Sequence, residues 1–114
     1  MKKIFLLTIL ISGGAWADCT NPQNSFEGQK CLSNEVTSLK KDLNSIYSKA
    51  YTSTEAKKEL DASQKKWLAF KEAQCGDFVV ADTQGSPATI STDLYCQTIL
   101  IKQRIDFLKE FLVN

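Results

Sequence analysis

The residues able to do chemistry are few. The 114-residue chain has no histidine, which removes a Ser-His-Asp triad, a Cys-His pair and every His-ligated metal. Its single methionine argues against a methionine copper site. Four cysteines remain, Cys19, Cys31, Cys75 and Cys96, together with 13 carboxylates. The cysteines form no C-x-x-C pair and no C-x-x-C-H, so zinc lacks its usual ligand spacing and c-type haem is excluded. An even number of cysteines in a small exported chain reads as two disulfides. A carboxylate pair such as Glu72 with Asp77 has the residue types a glycosidase uses. These are surface-type positions, however, and a thin domain has little room for a deep pocket. The reading is therefore a non-enzyme, with no catalytic residue, no metal and no cofactor.

Export is read from the first residues. Lys2 and Lys3 form a positive n-region, Ile4 to Ile11 a short apolar stretch, and Ala15-Trp16-Ala17 a small-x-small cleavage signal. Cleavage is expected after Ala17, which makes 1–17 a signal peptide and 18–114 the mature domain. Asp18 stands before Cys19 where a lipid-modified cysteine would need Gly, Ala or Ser. No later run is apolar enough to insert into a membrane. A short Lys-Lys signal of this kind points to a bacterial periplasm. Without Lys2 and Lys3 the domain carries 12 basic and 13 acidic side chains, a formal −1, which offers nucleic acid no global attraction.

Periodicity supplies the elements that must position the cysteines. Leu32, Val36, Leu39, Leu43, Ile46 and Ala50 recur at steps of 4 and 3 and predict a first helix, with Ser25 as its N-cap. Ala56, Leu60, Ser63, Trp67, Phe70 and Gln74 predict a second, opened by a Thr52–Glu55 capping box. Leu94, Thr98, Ile101, Ile105, Leu108 and Leu112 predict a third, starting at Pro87 or at Thr92-Asp93. Phe78-Val79-Val80 reads as the frayed end of helix two. The short link Tyr51 to Ser53 turns helix two back along helix one. The fold class is all-α: an up-down-up bundle of three long helices stapled by two disulfides. That topology gathers all four cysteines at one end. The pairs nearest in sequence, Cys19–Cys31 and Cys75–Cys96, are preferred, while Cys31–Cys75 with Cys19–Cys96 stays geometrically possible.

The same topology exposes a polarity that net charge hides. The cysteine end holds Asp18, Glu27, Glu35, Glu72, Asp77, Asp82 and Asp93 against Lys30 and Lys71, a net −5, and the opposite end carries a net +4. Two readings are open. The charges are helix-end and solvated-face preferences, or the acidic end steers the protein toward a basic partner. On the second reading the binding residues are Asp77, Asp82, Gln84, Ser86 and Asp93, on and beside a polar connector that a Cys75–Cys96 bond would preorganise.

The run Gln64-Lys65-Lys66-Trp67-Leu68-Ala69-Phe70-Lys71-Glu72-Ala73-Gln74-Cys75 resembles the Q-x-x-W-L-x-[YF]-[RK]-x-x-x-C signature of the LprI-like lysozyme-inhibitor family. Leu43 and Tyr47 fit an L-x-x-x-Y pattern before it, with Cys19 and Cys31 further upstream and Cys96 and Arg104 after it. The resemblance spans nearly all of the mature domain and implies a small exported helical protein that binds and inhibits lysozyme-type peptidoglycan hydrolases (muramidases). Tyr47, Trp67 and Arg104 are read as structural core rather than as binding residues.

Two functions are carried forward. One is a periplasmic inhibitor that occludes such a hydrolase. Its target is a host or environmental lysozyme, or else an effector injected by a type VI secretion system, against which the protein would serve as immunity. The alternative is a periplasmic structural or adaptor protein with no hydrolase target. The protein acts as a monomer or a homodimer, and Phe26, Tyr51 and Phe111 are read as exposed aromatics.

Overall fold

The computed structural model describes Cys19 and residues 24–113. The signal-peptide reading, with its Ala17 cleavage position, lies outside the described residues. Helix α1 (Ser25–Ser53) is followed by α2 (Lys57–Lys71), a π-helical segment (Glu72–Phe78) and α3 (Val79–Thr83). These last three run on without a break as one rod. A turn leads to α4 (Thr89–Leu108), which ends in a second π segment (Lys109–Val113). The chain is thus three long helical rods with no strand among the described residues, as the periodicity predicts.

Chain direction follows from the neighbours at each end. Ser25, Phe26 and Gln29 of α1 sit beside Pro87, Ala88 and Ser91 at the start of α4, so these two helices run parallel and pack closely. The rod runs against them, with Tyr47 bonded to Asp61 and Arg104 to Gln64 near one end and Cys75 bonded to Cys96 near the other. Burial selects the predicted stripes. Val36, Leu39, Leu43 and Ala50 of α1 meet Ile101, Ile105 and Leu108 of α4, with Leu60 added by the rod. Tyr51 packs partly buried against this core rather than standing exposed, whereas Phe26 and Phe111 are exposed.

The caps differ from expectation by one to four residues. Asn24, not Ser25, caps α1, its side-chain oxygen accepting from the Glu27 N–H at 2.8 Å. Thr52 caps nothing; its hydroxyl and that of Ser53 donate back to the Lys49 carbonyl inside α1. Helix α1 therefore continues to Ser53. The link is Thr54 to Ala56, closed by the Ala56 N–H donating to Thr54 Oγ1 and by Lys57 Nζ donating to the Thr54 carbonyl. Phe78-Val79-Val80 is unfrayed helix, with Val79 buried. Pro87 stands just ahead of α4, whose first turn is set by the Thr89 N–H donating to the Ser86 carbonyl at 2.9 Å.

The largest departure is the buried face of the rod. The second stripe places Phe70 and Gln74 inward, but Phe70 is exposed and Lys71, Cys75 and Val79 are buried instead. The true inward row is Leu60, Gln64, Trp67, Lys71, Cys75 and Val79. Its later steps are all four residues, which an ideal helix of about 3.6 residues per turn would carry off the face. The π segment, with its i to i+5 bonding, underwinds the rod and holds the row in place.

Both disulfides join the preferred pairs, Cys19–Cys31 and Cys75–Cys96, each with Cα atoms 5.5 Å apart, and no cysteine is free. The Cys75–Cys96 bond joins residues 21 apart, so chain entropy assigns it about 3 kcal/mol of stabilisation. A Cys75→Ala, Cys96→Ala double variant is expected to lose that amount in guanidinium unfolding, with an m-value that holds or rises because the uncrosslinked denatured chain exposes more surface. A loss below about 1 kcal/mol would contradict the bracing role.

Candidate protein-binding face

The sequence-predicted binding residues are brought to one place, the hairpin between the rod and α4. Asp77 lies in the π segment and Asp82 in α3, and both are exposed. Gln84 and Ser86 are exposed in the turn. Asp93 lies in the second turn of α4, half-buried, its carboxylate accepting from Gln97 Nε2 at 3.0 Å. Four of the five thus face solvent freely, and the fifth is already engaged within its own helix.

The turn is stiff for its length. The Gly85 N–H donates to the Val80 carbonyl and the Gln84 N–H to that of Ala81, a Schellman closure of α3. Gln84 adopts φ 55° and Gly85 φ 66°. The left-handed region disfavours a residue with a Cβ by about 1–2 kcal/mol, so Gln84 is held there by its surroundings. Thr83 Oγ1 donates to the Val79 carbonyl at 2.8 Å and meets the Thr89 hydroxyl at 2.5 Å across the turn. The Cys75–Cys96 bond closes the base.

Sequence reasoning missed the apolar part of this face. Phe70, Gln74 and Phe78 follow one another at i, i+4 along the outer side of the rod, opposite Tyr95 and Ile99 of α4. Between them lies a groove of about 390 Å³ floored by Val79 and Cys96. Phe70, Phe78, Tyr95 and Ile99 are 51%, 55%, 59% and 40% exposed. Such a contiguous patch is unlike scattered surface aromatics and is a candidate docking surface. The signal was present as two i, i+4 rows, but the 3.6-residue template assigned Phe70 and Gln74 to the core. The carboxylates border the groove in sequence: Asp77 precedes Phe78, Asp82 is one turn beyond it, and Asp93 is two residues before Tyr95.

The charge polarity needs one correction. Glu35 is half-buried and stands within electrostatic reach of Lys102, which the end-by-end sorting placed at the opposite pole. Burial raises its carboxyl pKa and Lys102 opposes the shift. Lys71 is likewise no surface charge but 8% exposed.

At the far end a polar clasp ties the rods together. Tyr47 Oη donates to the Asp61 carboxylate. Arg104 Nε donates to Gln64 Oε1 at 2.9 Å and an Arg104 terminal nitrogen to Ser63 Oγ at 3.1 Å. The guanidinium also lies 5.9 Å from the Trp67 ring centre and 5.6 Å from that of Phe107. Tyr47, Trp67 and Arg104 are part-buried here, and Arg104 satisfies side-chain oxygens rather than a carboxylate. Burial lowers the Arg104 pKa. Burial, followed by the hydrogen bond to Asp61, pushes the Tyr47 phenol up to about 12.

Fold and face define an all-α, disulfide-stapled domain with an exposed apolar groove beside its braced hairpin. The chain belongs to the LprI lysozyme-inhibitor family, whose sequence pattern, described as "Lysozyme inhibitor LprI", matches residues 17–108. No curated protein and no solved structure matches it. Among the described residues no helix is long and apolar enough to cross a membrane.

The clasp makes a pH prediction. A phenol whose folded pKa is raised stabilises the fold fully below its ordinary pKa of about 10, and that contribution is lost as pH rises toward 12. Absorbance titration at 295 nm is expected to show a late phenolate step near pH 12 that vanishes in Tyr47→Phe. Survival of that step in the variant would remove the clasp assignment.

Proposed function

We propose that the protein is a periplasmic inhibitor that binds a lysozyme-type peptidoglycan hydrolase through the braced hairpin and occludes its glycan cleft. The observation that carries this reading is the exposed Phe70–Phe78–Tyr95–Ile99 groove, with Asp77 and Asp82 close to Phe78 in sequence, in a chain of a lysozyme-inhibitor family. Burying what each of these half-exposed side chains still shows to solvent contributes on the order of 1 kcal/mol, enough together for a small hot-spot cluster. The carboxylates would speed encounter with a basic enzyme. They also disfavour self-association, because a second copy would bring like charges together. Block by occlusion requires no chemistry from the inhibitor, and a preorganised turn lowers the entropy cost of entering a cleft. An effector injected by a type VI secretion system is the target in the immunity setting, and a host or environmental lysozyme in the defensive one; both ask the same of this surface.

The test is a peptidoglycan-lysis assay with the oxidised mature domain against a panel of muramidases. Protection by the wild type is expected. Phe78→Ser should weaken it about tenfold or more with the helical circular dichroism unchanged. Asp77→Lys with Asp82→Lys should slow association and flatten its salt dependence. Failure to protect against any muramidase would favour the adaptor reading. Protection undiminished in both variants would move the interface to another face.

A further inference from the structure

A second depression lies on another face of the rod, between it and α1. It measures about 370 Å³ and is lined by Lys40, Asn44 and Tyr47 of α1, by Gln64, Trp67 and Lys71 of the rod, and by Leu43, Leu68 and Ile101. Its volume falls within the range of about 300–1,000 Å³ typical of small-molecule sites. Its lining contains two ammonium groups and no carboxylate.

Lys71 is the decisive residue. It is 8% exposed, yet makes no hydrogen bond or ion pair with any described residue, and no wholly enclosed polar atom is left unsatisfied. Its ammonium therefore meets solvent through this depression. A lysine this buried is ordinarily paired. Gln64 is oriented to help. Its amide oxygen already accepts from Arg104, which leaves the amide NH2 to donate. Tyr47 spends its hydroxyl proton on Asp61. Lys40, Lys71 and Gln64 thus offer donors to the cavity, beside Trp67 and the apolar side chains of Leu43 and Ile101.

We infer that the cavity between α1 and the rod binds a small carboxylate-bearing ligand with a ring body, of the class of carboxylated sugars, whose anion pairs with Lys71. Donors without an opposing acid select an anion. The aromatic and aliphatic wall selects a ring face over a bare ion. This site shares no lining residue with the hairpin groove, and its occupancy is independent of hydrolase binding.

The test is an NMR titration of the isotopically labelled, oxidised protein with N-acetylmuramic acid, N-acetylglucosamine and acetate as probes. N-acetylmuramic acid is expected to shift the amides of 40–47 and 64–71 and to bind about tenfold or more tightly than either control, which lack the anion or the ring. Lys71→Met, which keeps the buried stem, should lose that binding by a similar factor while its melting temperature holds, because the packing of the stem is retained. Lys71→Arg should retain binding within a few-fold and covers the case in which the Met variant does not fold. Absent shifts in this region, equal binding of N-acetylglucosamine or acetate, or undiminished binding to the Met variant would each overturn the site. Any of these would leave Lys71 as a stem covering the core. Inhibition assays do not enter this test, so its failure leaves the hydrolase reading standing.

Discussion

The bond between Cys75 and Cys96 is the constraint on which the other features turn. The rod touches α4 closely only along its π segment and α3, where the disulfide lies. Cys75 must therefore point at α4 while Leu60 and Trp67 point at the core. An ideal helix cannot satisfy all of these, because steps of four residues drift off a 3.6-residue face. The π segment resolves the conflict around Cys75. It also has a consequence at the surface. Underwinding turns Phe70 and Phe78 outward beside Tyr95, so the bond that braces the hairpin is also the floor of its apolar groove.

Away from the disulfide the rod stands further from α4, and long side chains fill the gap. Trp67, Tyr47 and Arg104 do so with polar ends that find partners, in keeping with the rule that buried polar groups are hydrogen-bonded. Lys71 fills it with an aliphatic stem whose ammonium has none. Residues 70 and 71 are adjacent in sequence and about 100° apart around the rod. One shows an aromatic ring to solvent and the other sends a charge inward, an inversion of the usual burial preferences. Such inversions concentrate where function competes with stability.

The architecture was legible in the sequence wherever the pattern was local and regular. The stripes of α1 and α4 keep the 3.6-residue period and lie buried as read, and three rods with a short first link follow from them. The disulfide pairs followed from topology and proximity. Gln64, Trp67, Lys71 and Cys75 were visible as a motif, but their shared inward face was not, because a π segment leaves no distinct signature in residue type. The Thr52–Glu55 capping box failed for a different reason. Tertiary packing of Ala50 and Tyr51 against the core extends α1 through the predicted cap, and packing outweighs a cap worth about 1 kcal/mol. Of the acidic end, the carboxylates could be placed from topology, while the aromatic groove between them required the true helical register.

That register also decides how charge and apolar surface divide the work of binding. A rim carboxylate in water contributes about 0–1 kcal/mol to a contact, and much of its effect is on the rate of encounter. An aromatic side chain moved from half-exposed to buried contributes more, and three of them with Ile99 in one groove dominate any sum over Asp77 and Asp82. The acidic end read from the sequence is then a guide to orientation rather than the source of affinity. On the proposed function, residence on a partner would depend on Phe70, Phe78, Tyr95 and Ile99, hence on the rod keeping its underwound segment, and hence on Cys75 staying bonded to Cys96.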